Sequence, residues 1–239
     1  MKIIGIIPSR YHSKRMIGKP LYKIDGKSLL LRVYEQSQKA KEIKDIYIIT
    51  DDKRIYNHAL TFTNNILLSE ENHETGTSRS IEAFKQITRK EDFDGFINIQ
   101  GDEPLIAPEL IDVIAKNISS DHITTAISEC SDIKEFLNPN TVKVVCNAYH
   151  DALYFSRSPI PHGAIQFYKH IGIYGFHKTL IDKISITRDY SSSSENLEQL
   201  QWLNNGLKIK ALTTTHISKG VDTIDDVDKI LQMLNVMNV

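Results

Sequence analysis

The chain has 239 residues, 29 Lys and Arg against 30 Asp and Glu, and two cysteines. That length can bury an α/β core without disulfides or a structural metal, and the near-zero net charge excludes general electrostatic binding to nucleic acid or an anionic membrane. Cys130 and Cys146 match no zinc or redox spacing, and Cys146, in the apolar run Val142 to Cys146, is expected as a small core residue.

Ile3 to Ile7 reads as a strand covered on both faces. It is too short for the hydrophobic region of a signal peptide, and no later apolar run approaches membrane-spanning length, so a soluble cytoplasmic protein is expected. The strand opens into a basic loop, Pro8-Ser9-Arg10-Tyr11-His12-Ser13-Lys14-Arg15-Met16-Ile17-Gly18-Lys19-Pro20. Leu29, Leu30, Val33 and Ser37 then fall at helical spacing within Leu29 to Lys39. Asp45 to Thr50 is a strand ending at Asp51-Asp52, which can cap the next helix. A short strand at Ile66 to Leu68, a helix at Ser78 to Ile87 and a strand at Phe96 to Ile99 follow, the last running into Gln100-Gly101-Asp102-Glu103-Pro104. This alternation is the signature of βαβ units.

The middle of the chain changes pattern. Thr141 to Ala148 and Ala152 to Ser156 read as strands paired around Tyr149-His150-Asp151, and Ser158 to Gly163 is too proline-rich for a central strand. A strand at His170 to Phe176 and a helix from Leu180 come next. The run Ser191 to Ser194 fits a linker or an N-cap for the helical pattern Glu195 to Leu203, and the glutamate close behind favours the cap. Lys208 to Thr214 is a last strand and Thr223 to Val236 a last helix. The predicted fold is α/β: a single Rossmann-like, doubly wound and mostly parallel domain, with an antiparallel portion inserted at about residues 141–190.

Ligands of open α/β sheets bind beyond the carboxyl ends of the strands. Three segments fall there: the basic loop, Gln100 to Pro104, and Gly220-Val221-Asp222-Thr223. Arg10, Lys14, Arg15 and Lys19 have no acid among them, so their mutual repulsion favours an anion site over a plain solvated turn. Arginine grips two phosphate oxygens and lysine acts as a point charge, while Gly18 permits close approach of the backbone. The spacing is not that of a Walker A loop. Asp102 fits either a helix cap or a magnesium ligand, and Asp222 fits the same two roles; two carboxylates suffice for magnesium when a nucleotide supplies further oxygens. Arg157, His170, Tyr174, Glu198 and Gln199 carry no decisive chemistry by residue type alone.

Together these segments resemble the 3-deoxy-manno-octulosonate (Kdo) cytidylyltransferases, which make CMP-Kdo. The resemblance runs in order through Ile6-Ile7-Pro8-Ser9-Arg10-Tyr11, Lys19-Pro20-Leu21, Thr50-Asp51-Asp52, Thr75-Gly76-Thr77-Ser78-Arg79 and Asn98-Ile99-Gln100-Gly101-Asp102-Glu103-Pro104. It continues through Tyr154-Phe155-Ser156-Arg157-Ser158-Pro159-Ile160-Pro161, Lys169-His170-Ile171-Gly172-Ile173-Tyr174, Leu197-Glu198-Gln199-Leu200 and Gly220-Val221-Asp222-Thr223.

The resemblance implies a nucleotide-diphospho-sugar transferase-like fold and transfer of CMP from CTP to an acidic sugar, for lipopolysaccharide biosynthesis. It implies that Arg10, Ser13, Arg15 and Lys19, with Pro8 and Ser9, hold the CTP phosphates, Arg15 also meeting the sugar. Thr77 and Arg79 would form the cytidine pocket, with Gln100 beside nucleotide and sugar. Arg157, His170, Tyr174, Glu198 and Gln199 would line the sugar site, and Asp102 and Asp222 would bind Mg2+. Catalysis would fall to Arg10, Arg15, Lys19 and Asp102. It also implies a homodimer formed through part of the insertion, with neither nucleic acid nor membrane as partner. The chain departs from the family pattern at Ile17, at Thr75, at Ser78 (usually aspartate) and at Gln201 (often arginine). Two other readings are a CTP-dependent enzyme for another acidic sugar, such as amino-Kdo or a sialic acid, and a non-catalytic nucleotide-binding relative. The joint presence of Asp102, Asp222 and Lys19 argues against the second.

Overall fold

The computed structural model describes residues 1–13, 15–70, 72–87, 92–184, 194–216 and 220–237; Lys14 and Ser191 to Ser193 lie outside the described residues. In chain order the elements are β1 (Ile3–Ser9), β2 (Lys23–Ile24), β3 (Lys27–Ser28), α1 (Leu29–Ser37), β4 (Ile43–Thr50), α2 (Lys53–Ala59), β5 (Ile66–Leu68), α3 (Gly76–Gln86), β6 (Gly95–Asn98) and α4 (Pro108–Lys116). They continue with β7 (Ile123–Cys130), α5 (Ile133–Leu137), β8 (Lys143–Cys146), β9 (Ala152–Ser156), β10 (Phe167–His177), α6 (Glu198–Asn204), β11 (Ile209–Thr213) and α7 (Ile224–Met237). The chain forms two compact units, Met1–Ala115 with Ser218–Val239, and Lys116–Ile217.

In the first unit β1 pairs in parallel with β4 on one side and β6 on the other, and β5 lies beyond β4. The chain steps outward from β1 to β4 to β5, then returns to lay β6 on the opposite flank of β1. The winding therefore reverses between β1 and β6, the place where an open parallel sheet leaves a crevice at its carboxyl ends. Local chemistry fixes the helix starts. Ser28, Asp52 and Thr75 are N-caps whose side-chain oxygens accept from Leu31 N, Arg54 N and Ser78 N, each contributing about 1 kcal/mol. In α1 the residues Leu29, Leu30, Val33, Tyr34 and Ser37 are buried, the stripe expected of its spacing.

The basic loop after β1 has an apolar anchor. Met16 is 9% exposed and packs with Ile24, Leu29, Val221, Val227 and Ile230, while its neighbour Ile17 is 71% exposed. Burying such a side chain contributes about 1.5–3 kcal/mol. Met16 thereby fixes the loop against α7 and the segment before it, within the same unit.

In the second unit β7 runs parallel to β11 and antiparallel to β10, β10 pairs antiparallel with β8, and β8 with β9. Parallel pairing thus organises the first unit and antiparallel pairing most of the second, the α/β class expected. The antiparallel portion anticipated at about residues 141–190 lies inside a unit that begins earlier, at Lys116, and ends later, at Ile217. β7 escaped the sequence reading because Thr124, Thr125 and Ser128 interrupt its apolar run. Both threonines are nevertheless buried, their hydroxyls donating to Asn117 O (2.8 Å) and Ile173 O (2.8 Å).

Three local expectations are corrected. The helix from Leu180 is a 3-10 turn, Lys178–Lys183. α6 starts at Leu197 with no side-chain cap, so Ser194 does not cap it. Cys146 is half-buried rather than a core residue, and burial pushes its thiol pKa up to about 11. No helix among the described residues is long and apolar enough to cross a membrane.

Gly101 sets how closely the end of β6 approaches β1. A Cβ there would lie 2.8 Å from the Pro8 carbonyl oxygen, a backbone atom that cannot move aside independently. Gly101→Ala is expected to destabilise the protein by about 1–3 kcal/mol, measured as a lower urea midpoint at unchanged m-value. An unchanged midpoint would show that the approach is not fixed.

Candidate active site

The end of β1, the start of α3 and the segment after β6 converge in the first unit. A Cβ on Gly76 would lie 3.3 Å from Pro8 Cγ and 3.9 Å from Gln100 Oε1. The basic loop folds around one atom, the Tyr11 carbonyl, which accepts from Ser13 N (3.1 Å) and Gly18 N (2.9 Å). Gly18 has φ of 71°, and the Arg54 guanidinium lies 3.3 Å over the Tyr11 ring centroid. That stacking, with the Arg54–Asp52 pair, braces the loop from α2.

Lys19 opens the short turn after Gly18 and reaches across the unit. Its Nζ donates to Asp102 Oδ2 (2.7 Å), Val221 O (2.9 Å) and Asp222 Oδ1 (3.3 Å). Arg15 NH2 meets the other Asp222 oxygen at 2.8 Å. Two of the four loop cations are therefore paired with carboxylates distant in sequence. Asp222 is not the cap of α7: Asp226 accepts from Asp222 N, Thr223 N and Thr223 Oγ1 instead. Asp102 faces Lys19 rather than α4, which opens at Pro108. Among the described residues no group of three or more His, Cys, Asp or Glu could form a metal cage. Asp102 and Asp222 are a pair that shares one cation. Arg10 is exposed and Ser13 half-buried on the same loop.

A second group surrounds the first turn of α3. Thr77 Oγ1 accepts from Asn98 Nδ2 on β6 (3.0 Å). Arg79 is buried, and its NH2 donates to Asp51 Oδ2 at 2.8 Å, whereas its buried NH1 has no partner among the described residues. Buried Ser9 Oγ is likewise unpartnered. Ser78 Oγ donates to Thr75 O (3.0 Å) and meets His73 Nδ1 (3.1 Å), and His73 pairs with Glu82. The negative charge beside Arg79 thus comes from Asp51 at the end of β4, not from position 78. The sequence offered Asp51-Asp52 together as a helix cap; Asp52 takes that role and Asp51 turns to Arg79.

In the second unit a break in the β10–β7 register gathers further residues. Ile171 pairs with Ala126, but Tyr174 pairs with Thr125, leaving Gly172 and Ile173 bulged. The His170 and Tyr174 rings consequently lie 5.5 Å apart, and Trp202 of α6 stands edge-on to Tyr174 at 5.0 Å. His170 Nε2 meets Thr125 Oγ1 at 3.0 Å, and Gln199 Nε2 meets His170 Nδ1 at 3.4 Å. Gln199 Oε1 is buried with no partner among the described residues. Arg157 Nε donates to Glu195 O (2.9 Å) and NH1 to Pro139 O (3.1 Å). Glu198 lies in the first turn of α6. The sequence reading missed Glu195 as a partner of Arg157 because it counted that glutamate as part of the helix.

The family model described as cytidylyltransferase matches residues 4–209. The chain belongs to the cytidylyltransferase family. The 3-deoxy-manno-octulosonate cytidylyltransferase of Fusobacterium nucleatum is 39% identical over 100% of this chain and 99% of its own length. That of Parabacteroides distasonis is 40% identical over 98% of each chain. A solved structure of CMP:2-keto-3-deoxy-manno-octonic acid synthetase complexed with CTP superposes with a TM-score of 0.91 at 32% identity, over 99% of this chain and 100% of that one. The inositol-1-phosphate CTP transferase of T. maritima, at 14% identity and a TM-score of 0.70 over 98% of this chain and 95% of that one, shares the fold.

Burial lowers the His170 pKa in this cytidylyltransferase to about 3, so the folded protein keeps the ring neutral. Unfolding would return it to about 6.5. Between those values the unfolded state binds more protons, so His170 favours folding above pH about 6.5 and loses that contribution as pH falls towards 3. Urea unfolding of wild type and His170→Asn at pH 7 and 4.5 is expected to show the shallower pH dependence in the variant. The difference is at most about 1.4 kcal/mol per pH unit. Equal slopes would mean that the ring protonates in the folded state.

Proposed function

We propose that this cytidylyltransferase transfers CMP from CTP to the anomeric hydroxyl of Kdo, releasing pyrophosphate, with magnesium as its cofactor. The observation that carries the reading is the cluster of Lys19, Arg15, Asp102 and Asp222 at the strand reversal between β1 and β6. The identity of the relatives supports the choice of nucleotide and sugar.

Both reactants are anions, so their approach is opposed until cations offset the charge, and catalysis is chiefly positioning and electrostatics. Arg10, Ser13, Arg15 and Lys19 bind the triphosphate on the loop that Pro8 and Ser9 begin. The Asp102 and Asp222 pair fits magnesium. Its oxygens already converge on one cation, and the side chains remain 31% and 45% exposed, leaving room for the waters and phosphate oxygens that magnesium keeps. Bound there, magnesium would polarise the attacking hydroxyl and offset triphosphate charge. The unpartnered NH1 of Arg79 is a donor that a cytosine acceptor would satisfy, with Asp51 holding the guanidinium in place and Thr77 and Gln100 nearby in the chain. In the second unit, Arg157 suits the sugar carboxylate and Gln199 Oε1 a sugar hydroxyl. Neutral His170 and buried Tyr174 give that group a rigid wall, and Glu198 adds a carboxylate at the start of α6.

The proposal includes a homodimer formed through the second unit. Ile133, Leu137, Tyr149, Leu153 and Ile165 are large apolar side chains left exposed there, available to a partner surface. Light scattering is expected to give twice the chain mass, and Leu153→Asp to lower it; a monomeric wild type would refute this part.

Pyrophosphate release should occur with CTP, magnesium and Kdo, and should be weak with UTP or ATP and with a sialic acid or amino-Kdo. Preference for another acidic sugar would reassign the substrate and leave the reaction intact. Asp102→Asn removes a charge at nearly constant volume and is expected to cut kcat by at least about a hundredfold without altering the circular dichroism spectrum. Near-normal turnover would remove the metal assignment.

A further inference from the structure

The second unit contains a buried amine outside the residues assigned to substrate. Lys143 of β8 is fully buried, and its Nζ donates to three backbone carbonyls: Asn138 O (3.0 Å), Thr141 O (2.7 Å) and Arg157 O (2.5 Å). Burial pushes the ammonium pKa down, and the nearby Glu195 carboxylate opposes that shift. Glu195 itself accepts from Ser156 Oγ (2.5 Å) and from Arg157 N (2.8 Å). Lys143 is buried and Glu195 half-buried, and a buried charge is a poor way to gain stability, since apolar residues of similar volume often do as well. What this pair does hold is one residue.

Arg157 is fixed at four points. Its N is bonded to the Glu195 carboxylate, its O to Lys143, its Nε to Glu195 O and its NH1 to Pro139 O. The last two partners are neutral carbonyls. Among the described residues the guanidinium is therefore oriented without a salt bridge to a carboxylate, because Glu195 directs its oxygens at a backbone amide and a hydroxyl. An arginine held this way keeps its positive charge for a ligand and loses little side-chain freedom on binding one.

We propose that Lys143 and Glu195 are positioning residues that lock Arg157 so that its guanidinium presents an uncompensated charge to the carboxylate of the acidic sugar. The inference rests on the proposed function and adds to it the device that aims the sugar-recognising arginine.

Glu195→Gln tests it with little change of volume: the amide has one accepting oxygen where the carboxylate has two, so Ser156 Oγ must turn from donor to acceptor or Arg157 N loses its partner, and both bonds lose their charge assistance. KM for Kdo is expected to rise about tenfold, the scale of one lost hydrogen bond to a charged group, with KM for CTP and the melting temperature nearly unchanged. Arg157→Lys alone should also raise KM for Kdo, and adding Glu195→Gln to it should change little further, because the two act through one group. Equal rises in both KM values, additive effects in the double variant, or no effect of Glu195→Gln would each overturn the positioning role. Lys143→Met should behave like Glu195→Gln where it folds, and the Glu195 series decides the matter where it does not. A wild type that releases no pyrophosphate from CTP with Kdo would remove the proposed function and this inference with it. An active wild type with an unaffected Glu195→Gln would remove the inference alone.

Discussion

The Lys19 ammonium is the contact on which the first unit's site depends. It joins the loop after β1 to Asp102 after β6 and to Val221 and Asp222 before α7, bridging sequence separations of 83, 202 and 203 residues. Asp102 and Asp222 could not share this place without a cation, since two carboxylates around one point repel. With Arg15 included the cluster has two positive and two negative groups, 2 − 2 = 0. The part-buried Lys19–Asp102 bond contributes about 1.5–3 kcal/mol, and the solvent-exposed Arg15–Asp222 pair about 0–1 kcal/mol. The larger consequence of the cluster is geometric: it sets the distance between the basic loop and the acidic pair.

Packing makes that distance reproducible. Met16 anchors the basic loop in the same apolar cluster that holds Val221, Val227 and Ile230, so the loop and the Asp222 segment share one floor. Gly101 lets the β6 end lie against Pro8 where any side chain would collide with the backbone. The Tyr11 carbonyl and the positive φ of Gly18 then turn the chain so that Lys19 points inward. The charged residues are thus placed by neutral ones.

Most parallel strands and capped helices of the first unit were legible, because buried strands read as apolar runs and Asp52 precedes its helix as a capping residue should. The strand β7 was not, since a buried threonine whose hydroxyl finds a carbonyl is indistinguishable in sequence from a surface one. Lys19, Arg15, Asp102 and Asp222 were singled out from the sequence, but their pairing with one another was not, because nothing in a linear pattern brings residue 19 to residue 222. The pairing of Asp51 with Arg79 was hidden for the same reason. The family's usual aspartate is missing at position 78, and the carboxylate beside Arg79 sits 28 residues away, just past the end of β4. Lys143 fell within a predicted strand and Glu195 at the start of a helical pattern, and only the fold shows the carbonyls around one and the amide before the other.

The buried polar atoms left without partners sharpen this distinction. Five occur among the described residues: Ser9 Oγ, Arg79 NH1, His122 Nε2, His150 Nδ1 and Gln199 Oε1. An unpaired imidazole nitrogen can remain a bare lone pair in a neutral ring, and burial does hold His122 towards its neutral form. An unpaired guanidinium N–H or amide oxygen has no such escape and costs about 1–3 kcal/mol. Arg79 belongs to the α3 group and Gln199 to the β10 group, and each has a partner on its other side, Asp51 at 2.8 Å in one case and His170 at 3.4 Å in the other. A fold optimised only for stability would satisfy or remove both. Their persistence in two separately built places is the pattern expected where a protein keeps hydrogen-bonding capacity in reserve for a substrate.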